Sequence, residues 1–301
     1  MMSNFHTPVL LNEAIEGLNI CKNGTYVDAT FGGGGHSKLI ISKLLKGKLI
    51  GFDQDKAALV NSFDDDNRFI MINKNFKYLK EELLNLNIHS IDGLIADLGV
   101  SSHHFTDNQR GFSLKYDSKL DMRMDHDLEF DAAYILNNYN AKNLSRIFRE
   151  HADFHSPNFI VKSIINHREK KLITTTFELK ELFTASVSNK HENKFFARLF
   201  QAIRIEVNDE LSALKELLNQ ALEILNPSGR LVVISYHSLE DKIVKNFMKF
   251  GHFLNSPVKD FFGNPSFSFK LINRKPIVPS YHEIKLNNRA RSAKLRVCEK
   301  L

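Results

Sequence analysis

The sequence predicts an α/β chain: a mostly parallel sheet wrapped by helices and interrupted by an all-helical insertion. Three observations carry this reading. Short apolar runs and helical periodicity alternate as β-α-β-α-β-α-β between residues 25 and 97, the pattern of strands joined by crossover helices. From about 128 to 200 only the helical period remains. A buried-strand run, Arg230-Leu231-Val232-Val233-Ile234-Ser235, then resumes the sheet.

Taken in order, residues 8–20 place Val9, Leu10, Ile15 and Leu18 where a short helix ahead of the sheet would bury them. Val27 and its neighbours read as the first strand, with Asp28 as an acidic turn residue after it. Four consecutive glycines, Gly32 to Gly35, follow and turn the chain into a helix expected to start at Ser37 and stop at Lys46-Gly47. Lys48 to Asp53 is a second strand ending on an acid, and residues 56–63 suit a short helix. Phe69 to Ile72 is a third strand closing at Asn75-Phe76. Lys77 to Asn87 is helical, and Ile91 to Asp97 is a fourth strand, again ending on an acid. Residues 101–125 are polar and loop-like. Candidate helices cover 129–138, 141–151, 157–170 and 177–188, the last with an N-cap signal in Thr174-Thr175-Thr176 before Glu178. One long helix is expected through Phe200 to Leu225, then a turn at Asn226-Pro227-Ser228-Gly229 and the fifth strand. Ser238 is expected to cap the next helix, with Glu240 and Asp241 favoured in its first turn. Two further strand candidates lie near Phe267–Ile272 and Lys294–Cys298. The chain thus divides as 1–108, a helical insertion over 109–200, and 201–301.

Composition bounds the function classes. With 301 residues, 43% hydrophobic and 25% charged, the chain is ordinary globular protein. A net charge of +6 and a pI near 9.1 are compatible with a nucleic-acid partner without requiring one. Cys21 and Cys298 make neither a disulfide framework nor a zinc spacing and fit a reducing compartment. No run approaches the roughly 18 apolar residues of a membrane span, and the N-terminus lacks a secretory pattern. A cytoplasmic protein without membrane contact is expected.

A glycine turn between a strand and a helix N-terminus is how an α/β sheet holds an anionic or nucleotide-like ligand. The dinucleotide fingerprint needs a third glycine, which here falls on Ser37 or Lys38. That argues against a nicotinamide-dependent oxidoreductase, the competing enzyme class. Asp28 before the turn and Asp53 at the end of the next strand instead suit a ligand with a ribose and a cationic amino-acid part, as S-adenosylmethionine has. Asp53 could also act as a helix N-cap. Asp97, at the fourth strand end, should converge with both, because the carboxyl ends of the strands face the ligand crevice. His237 sits at the fifth strand end as a candidate substrate contact. No His/Cys/Asp/Glu set shows catalytic metal spacing, so no metal is expected. Arg289, Arg291, Lys294 and Arg296 either contact phosphates or form a solvated strand edge.

Seven blocks appear in order: Asp28-Ala29-Thr30-Phe31-Gly32-Gly33-Gly34-Gly35-His36, Asp97-Leu98-Gly99-Val100-Ser101-Ser102, Arg110-Gly111-Phe112-Ser113, Leu120-Asp121-Met122-Arg123-Met124-Asp125, Phe200-Gln201-Ala202-Ile203-Arg204-Ile205, His237-Ser238-Leu239-Glu240-Asp241 and Arg291-Ser292-Ala293-Lys294-Leu295-Arg296. From His6 almost to the C-terminus the chain resembles the RsmH (MraW) family, bacterial methyltransferases that modify the N4 atom of cytosine 1402 in 16S ribosomal RNA. The resemblance implies a class I S-adenosylmethionine-dependent methyltransferase domain, Rossmann-like, in two parts around a helical substrate-recognition insertion. It carries cofactor contacts to Gly34, Gly35, His36, Asp53, Phe76, Asp97 and His104. Two departures stand out. Relatives usually read Ser-Ser-Pro-Gln where this chain has Ser101-Ser102-His103-His104, so an imidazole replaces an amide as hydrogen-bond partner. Around Glu150-His151-Ala152-Asp153-Phe154 relatives commonly carry a Tyr-Gly-Glu-type turn.

On this reading an acceptor for the protons of the cytosine amine is needed, because that amine's lone pair is conjugated with the ring. Asp97 is the first candidate and His237 the second. The target base must be flipped out or already unpaired, with RNA held across the basic tail and the helical insertion mainly through phosphates. A non-catalytic RNA-binding assembly factor is the alternative outside the enzymes, and it would need no intact cofactor turn. The sequence leaves open whether naked rRNA or an assembled small subunit is the substrate, and whether the chain is a monomer or a homodimer.

Overall fold

The computed structural model describes residues 8–100, 109–258, 261–262 and 265–301. The chain forms two compact units, Met1–Gly99 with Leu211–Leu301, and Val100–Glu210. The sequence reading placed the divisions at 108/109 and 200/201. On the C-terminal side the division moves because one helix runs unbroken over Asn189–Asn208 and puts Leu199, Phe200, Ala202, Ile203 and Val207 into the core of the Val100–Glu210 unit.

The first unit is built on a seven-stranded sheet among the described residues. Its strands are β1 (Thr25–Asp28), β2 (Lys48–Phe52), β3 (Phe69–Ile72), β4 (Ile91–Asp97), β5 (Leu225–Ser235), β6 (Phe269–Leu271) and β7 (Lys294–Lys300), in the order β3-β2-β1-β4-β5-β7-β6. β1 pairs in parallel with both β2 and β4, so Asp28 lies beside Gly51 on one side and Ile95 on the other. β4 and β5 are parallel, with Asp97 beside Ile234, whereas β7 is antiparallel to β5 and β6. This is the Rossmann-like order, and the switch in strand order between β1 and β4 is where such sheets open a ligand crevice. Val27, Ile50, Leu94 and Leu231 are fully buried on these strands. They belong to one apolar core, while the alternating residues Tyr26, Leu49, Ile95 and Val232 belong to another, as expected for strands covered on both sides.

Helix α1 (Leu11–Leu18) precedes β1, α2 (Gly35–Lys43) joins β1 to β2, and α3 (Leu79–Asn85) lies between β3 and β4. α1 is shorter than the expected 8–20 because Leu10 (φ 51°) and Asn19 (φ 49°) both adopt left-handed backbone and bound it. The 56–63 segment is a 3-10 helix, Lys56–Asn61, capped by Asp55, whose side chain accepts from the Ala57 amide. Asp53 is therefore not that cap. The Asn226-Pro227-Ser228-Gly229 turn loops out within β5, between Leu225 paired with Ile91 and Arg230 paired with Gly93.

The second unit is helical: α4 (Ala132–Asn138), α5 (Ala141–Glu150), α6 (Asn158–Arg168), α7 (Thr176–Thr184) and α8 (Asn189–Asn208). Thr175 and Glu178 form a capping box on α7, so the threonine run does start that helix. The single helix expected through Phe200–Leu225 is two. Asp209 takes a left-handed conformation (φ 49°) that closes α8, and α9 (Glu210–Ile224) begins next to it. Arg204 spans the break with a two-toothed contact to Glu210, at 2.8 and 2.9 Å. The Leu120–Asp125 block is a tightly held loop. Asn208 Nδ2 donates to the Met122 carbonyl, Asn208 Oδ1 accepts the Met124 amide, and Arg110 donates to the carbonyls of Arg123 and Met124. These bonds fix Met122 in left-handed backbone at φ 59°. Among the described residues no helix is long and apolar enough to cross a membrane.

Candidate functional site

The site sits at the carboxyl ends of β1, β2, β4 and β5, and the glycine turn is its floor. Gly34 adopts φ 71°, and a Cβ there would press within 3.0–3.1 Å of the Phe31 and Phe63 rings. At Gly35 a Cβ would overlap Pro8, 2.1 Å away. The segment Pro8–Leu10 thus lies directly on the turn. It also fixes His36, whose Nε2 donates to the Val9 carbonyl at 3.2 Å. That acceptor requires the proton on Nε2 and leaves Nδ1 facing Asp97, 3.9 Å from Oδ2.

The strand-end acids do different work. Asp28 is buried and both its oxygens are used internally, one by the Thr30 amide (3.1 Å) and one by the Ser37 hydroxyl (2.7 Å). It braces the turn rather than reaching out of it. Asp53 accepts the amides of Gly32 and Asp55, each at 2.8 Å, and each oxygen keeps a second lone pair for a ligand hydroxyl. Asp97 is held from two directions. Its amide donates to Thr30 Oγ1 at 2.6 Å, and its Oδ1 accepts the Tyr236 hydroxyl at 2.7 Å. Burial pushes all three carboxyls up to about 6. The Asp28 charge adds to the rise at Asp53 and Asp97, while His36 and the Tyr236 hydroxyl draw Asp97 back down. A cationic ligand would relieve this accumulation of buried negative charge.

Phe76 follows β3 in a 3-10 turn capped by Asn75 and is partly buried against the sheet core. Asn75 donates to Gln54, and Asn73 donates to the Asp53 carbonyl, tying this turn to the end of β2. His104 lies outside the described residues. His237, not Ser238, caps α10 (Ser238–Phe250): its Nδ1 accepts the Glu240 amide at 3.4 Å, and the Glu240 carboxylate accepts the Tyr236 and His237 amides. A histidine nitrogen can serve as the cap acceptor, which the sequence reading assigned to the neighbouring hydroxyl. His237 Nε2 stands 3.1 Å from Glu240 Oε1, an ion-pair approach without hydrogen-bond geometry.

The structure therefore brings Gly34, Gly35, His36, Asp53, Phe76, Asp97 and His237 into the unit that carries the turn. Sequence reasoning missed Thr30, Tyr236, the Pro8–Val9 strap and Glu283. Tyr236 was findable, being the first residue past a buried strand. Glu283 was not, because its partner Leu10 is 273 positions away. The basic tail divides. β6 pairs with β7 only at Cys298, Glu299 and Lys300, so it does not reach Lys294 or Arg296; the burial of Arg296 is what speaks against a solvated edge there. Both pair with Asp241, at 3.1 and 2.7 Å. Burial works against the Asp241 charge, yet these two cations hold its carboxyl below the ordinary range. Arg291 is exposed in the 3-10 segment Asn288–Ser292.

These residues fit S-adenosylmethionine. At Gly33 a Cβ would meet nothing within 4 Å, so the turn is open there while Gly34 and Gly35 are closed. Asp53 offers ribose acceptors beside that opening, Phe76 offers an apolar face past β3, and the raised carboxyls favour a cation.

A family model described as the MraW methylase family matches residues 3–301. A protein from Flavobacterium johnsoniae, named "Ribosomal RNA small subunit methyltransferase H", is 49% identical over 298 residues, covering 99% of this chain and 98% of that protein. A protein of the same name from Flavobacterium psychrophilum is 51% identical over 97% of this chain and 100% of its own length. Another from Bacteroides fragilis is 47% identical over 99% of this chain and 98% of its own.

Proposed function

The chain belongs to the MraW methylase family, and from that premise we propose that it methylates the exocyclic N4 amine of a cytosine in 16S ribosomal RNA, position 1402 by family resemblance. One observation carries the reading: near-half identity, end to end, to proteins named for methylating small-subunit ribosomal RNA, in a chain whose glycine turn and strand-end acids are all in place. Gly34, Gly35, His36, Asp53, Phe76 and Asp97 would hold the cofactor, as would His104. Bound there, S-adenosylmethionine supplies a methyl group on a sulfonium, so the amine nitrogen gains a bond to carbon and the broken sulfur–carbon pair returns to sulfur.

The chain's own residues orient the amine and take its proton. Asp97 Oδ2 is the acceptor, because Tyr236 engages Oδ1 and orients the carboxyl, while the His36 approach to Oδ2 is 3.9 Å, beyond hydrogen-bond reach. With its carboxyl near 6, Asp97 is largely charged at neutral pH yet close enough to accept a proton. His237 is placed second. Its Nδ1 is occupied by the α10 cap, so it orients the strand end and acts on substrate only through Nε2. The Val100–Glu210 unit serves as the recognition insertion for the unpaired target base and its flanking strand. The chain works in the cytoplasm on the small ribosomal subunit. A homodimer is compatible with this assignment and is read by light scattering.

Mass mapping of 16S rRNA from a strain lacking this protein tests the activity. The N4 methyl at the expected cytosine should disappear and return on complementation, and an unchanged methyl overturns the reading.

A further inference from the structure

Tyr236 hangs from the carboxyl end of β5 with its hydroxyl 2.7 Å from Asp97 Oδ1. Its position is over-determined. Its amide donates to Glu240 at 2.9 Å, and its ring packs against the sheet core. Gly99, at φ 101°, brings the backbone so close that a Cβ would stand 3.2 Å from the ring. A side chain held at three points does not move to suit its partner, so the partner is set by it.

We propose that Tyr236 is a positioning residue for methyl transfer, which by donating to Asp97 Oδ1 leaves Oδ2 as the oxygen that accepts the N4 proton. The inference rests on the reading of Asp97 as that acceptor. Burial and the neighbouring Asp97 charge push the Tyr236 phenol far up, so it stays a neutral O–H donor at any working pH and does not itself take the proton. Thr30 Oγ1 fixes the Asp97 backbone while Tyr236 fixes the carboxyl torsion. Oδ2 then faces His36 Nδ1 across 3.9 Å, beyond hydrogen-bond reach. During transfer one N4 proton passes to Oδ2 as the nitrogen–carbon bond forms and the sulfur–carbon pair returns to sulfur.

The charged groups around this carboxyl are His36 from α2, Asp28 from β1 and Glu240 from α10. Glu283, in the helix Tyr281–Leu286, faces Tyr236. Against them, Tyr236 is a neutral donor to the carboxyl. Removing it takes away a bond that favours the charged carboxylate, so the carboxyl titrates higher and the charged base appears only at higher pH.

The test is Tyr236→Phe, which keeps the ring and its packing, assayed for methyl transfer to small-subunit particles from a strain lacking this protein. The turnover number should fall about tenfold while the KM for S-adenosylmethionine stays within about twofold. The acid limb of the rate profile should move up by about one pH unit, the scale of one lost hydrogen bond to a charged group. A purely structural role would lower the melting temperature without moving that limb. Wild-type turnover together with an unmoved acid limb overturns the proposal. Asp97→Asn, run alongside, separates the two layers. Full activity in that variant removes Asp97 as acceptor, and Tyr236 with it. An inactive Asp97→Asn beside a wild-type Tyr236→Phe removes Tyr236 alone.

Discussion

The amide of Leu10 donates to Glu283 Oε1 at 2.7 Å, joining positions 273 residues apart. Leu10 is buried and in left-handed backbone, so its amide has no helical partner of its own. Just before it, Val9 fixes His36 and Pro8 closes over Gly35. Glu283 therefore anchors the strap that lies on the glycine turn without standing in the turn itself.

Replacing Glu283 with alanine strands a buried donor, a cost of about 1–3 kcal/mol. Amide exchange at Leu10 should speed up, and S-adenosylmethionine should bind roughly tenfold more weakly by calorimetry. Glu283→Gln retains an acceptor oxygen and should keep most of the affinity. If exchange at Leu10 rises in the alanine variant while affinity does not change, the strap has no hold on the site.

Much of this site was legible in the sequence, and what was not has a physical cause. Strand-end acids announce themselves because a carboxylate that closes a buried apolar run is costly unless a partner or a ligand meets it, which is how Asp53 and Asp97 stood out. The glycine turn was legible for a related reason, since Gly34 and Gly35 answer steric demands that only glycine meets. What the residues did not reveal was the division of labour. Asp28 and Asp53 look alike in sequence, and each oxygen of either accepts one internal hydrogen bond, but Asp28 is buried beneath the turn whereas Asp53 stays partly exposed and can meet a ligand. The break at Asp209 was invisible because helical periodicity runs through it on both sides. Lys294 and Arg296 left phosphate contact and a solvated edge both open, because nothing local tells that Asp241, more than fifty positions away, pairs with both.

Gly33 offers a clean separation of folding from binding. A methyl at this position meets no atom within 4 Å, and its backbone lies outside the left-handed region. Gly33→Ala should melt within about 1–2 °C of the parent, since a surface substitution away from special features costs at most about 0.5 kcal/mol. On the proposed assignment its affinity for S-adenosylmethionine should drop by at least about tenfold, because the methyl would occupy the open space at the turn. Equal affinity would move the cofactor away from this part of the turn.

Asp97 should cost the ligand-free protein stability at neutral pH. Its carboxyl titrates near 6 in the folded chain and near the ordinary 3.8 when unfolded. A raised folded value means that the contribution to stability is full below about pH 4 and is lost as pH rises through about 6. Asp97→Asn keeps an acceptor for Tyr236 and abolishes the titration. The variant should therefore melt higher than the parent at pH 8, with a ceiling of about 3 kcal/mol, and the advantage should fade toward pH 4. Differential scanning calorimetry without cofactor reads this directly, and an advantage that is the same at pH 4 and pH 8 contradicts it.

The basic tail makes a prediction that sorts its cations by task. Arg296 is buried, 2.7 Å from Asp241, and its charge is spent inside the fold. Arg291 is exposed on the 3-10 segment that precedes β7. If the tail meets rRNA phosphates, Arg291→Ala should weaken RNA binding uniformly and reduce the slope of log K against log salt by about 0.7–0.9 for one lost phosphate contact. Its melting temperature should not change. Arg296→Ala should do the reverse. It leaves Asp241 with Lys294 as its remaining cation from β7, lowers the melting temperature by several degrees for the loss of a buried partner, and leaves the salt slope of the folded fraction intact. Filter-binding titrations at several salt concentrations, paired with melting curves, distinguish the two. A salt slope unchanged in Arg291→Ala would place the RNA elsewhere on the protein, and leave the tail a structural strand whose cations serve Asp241.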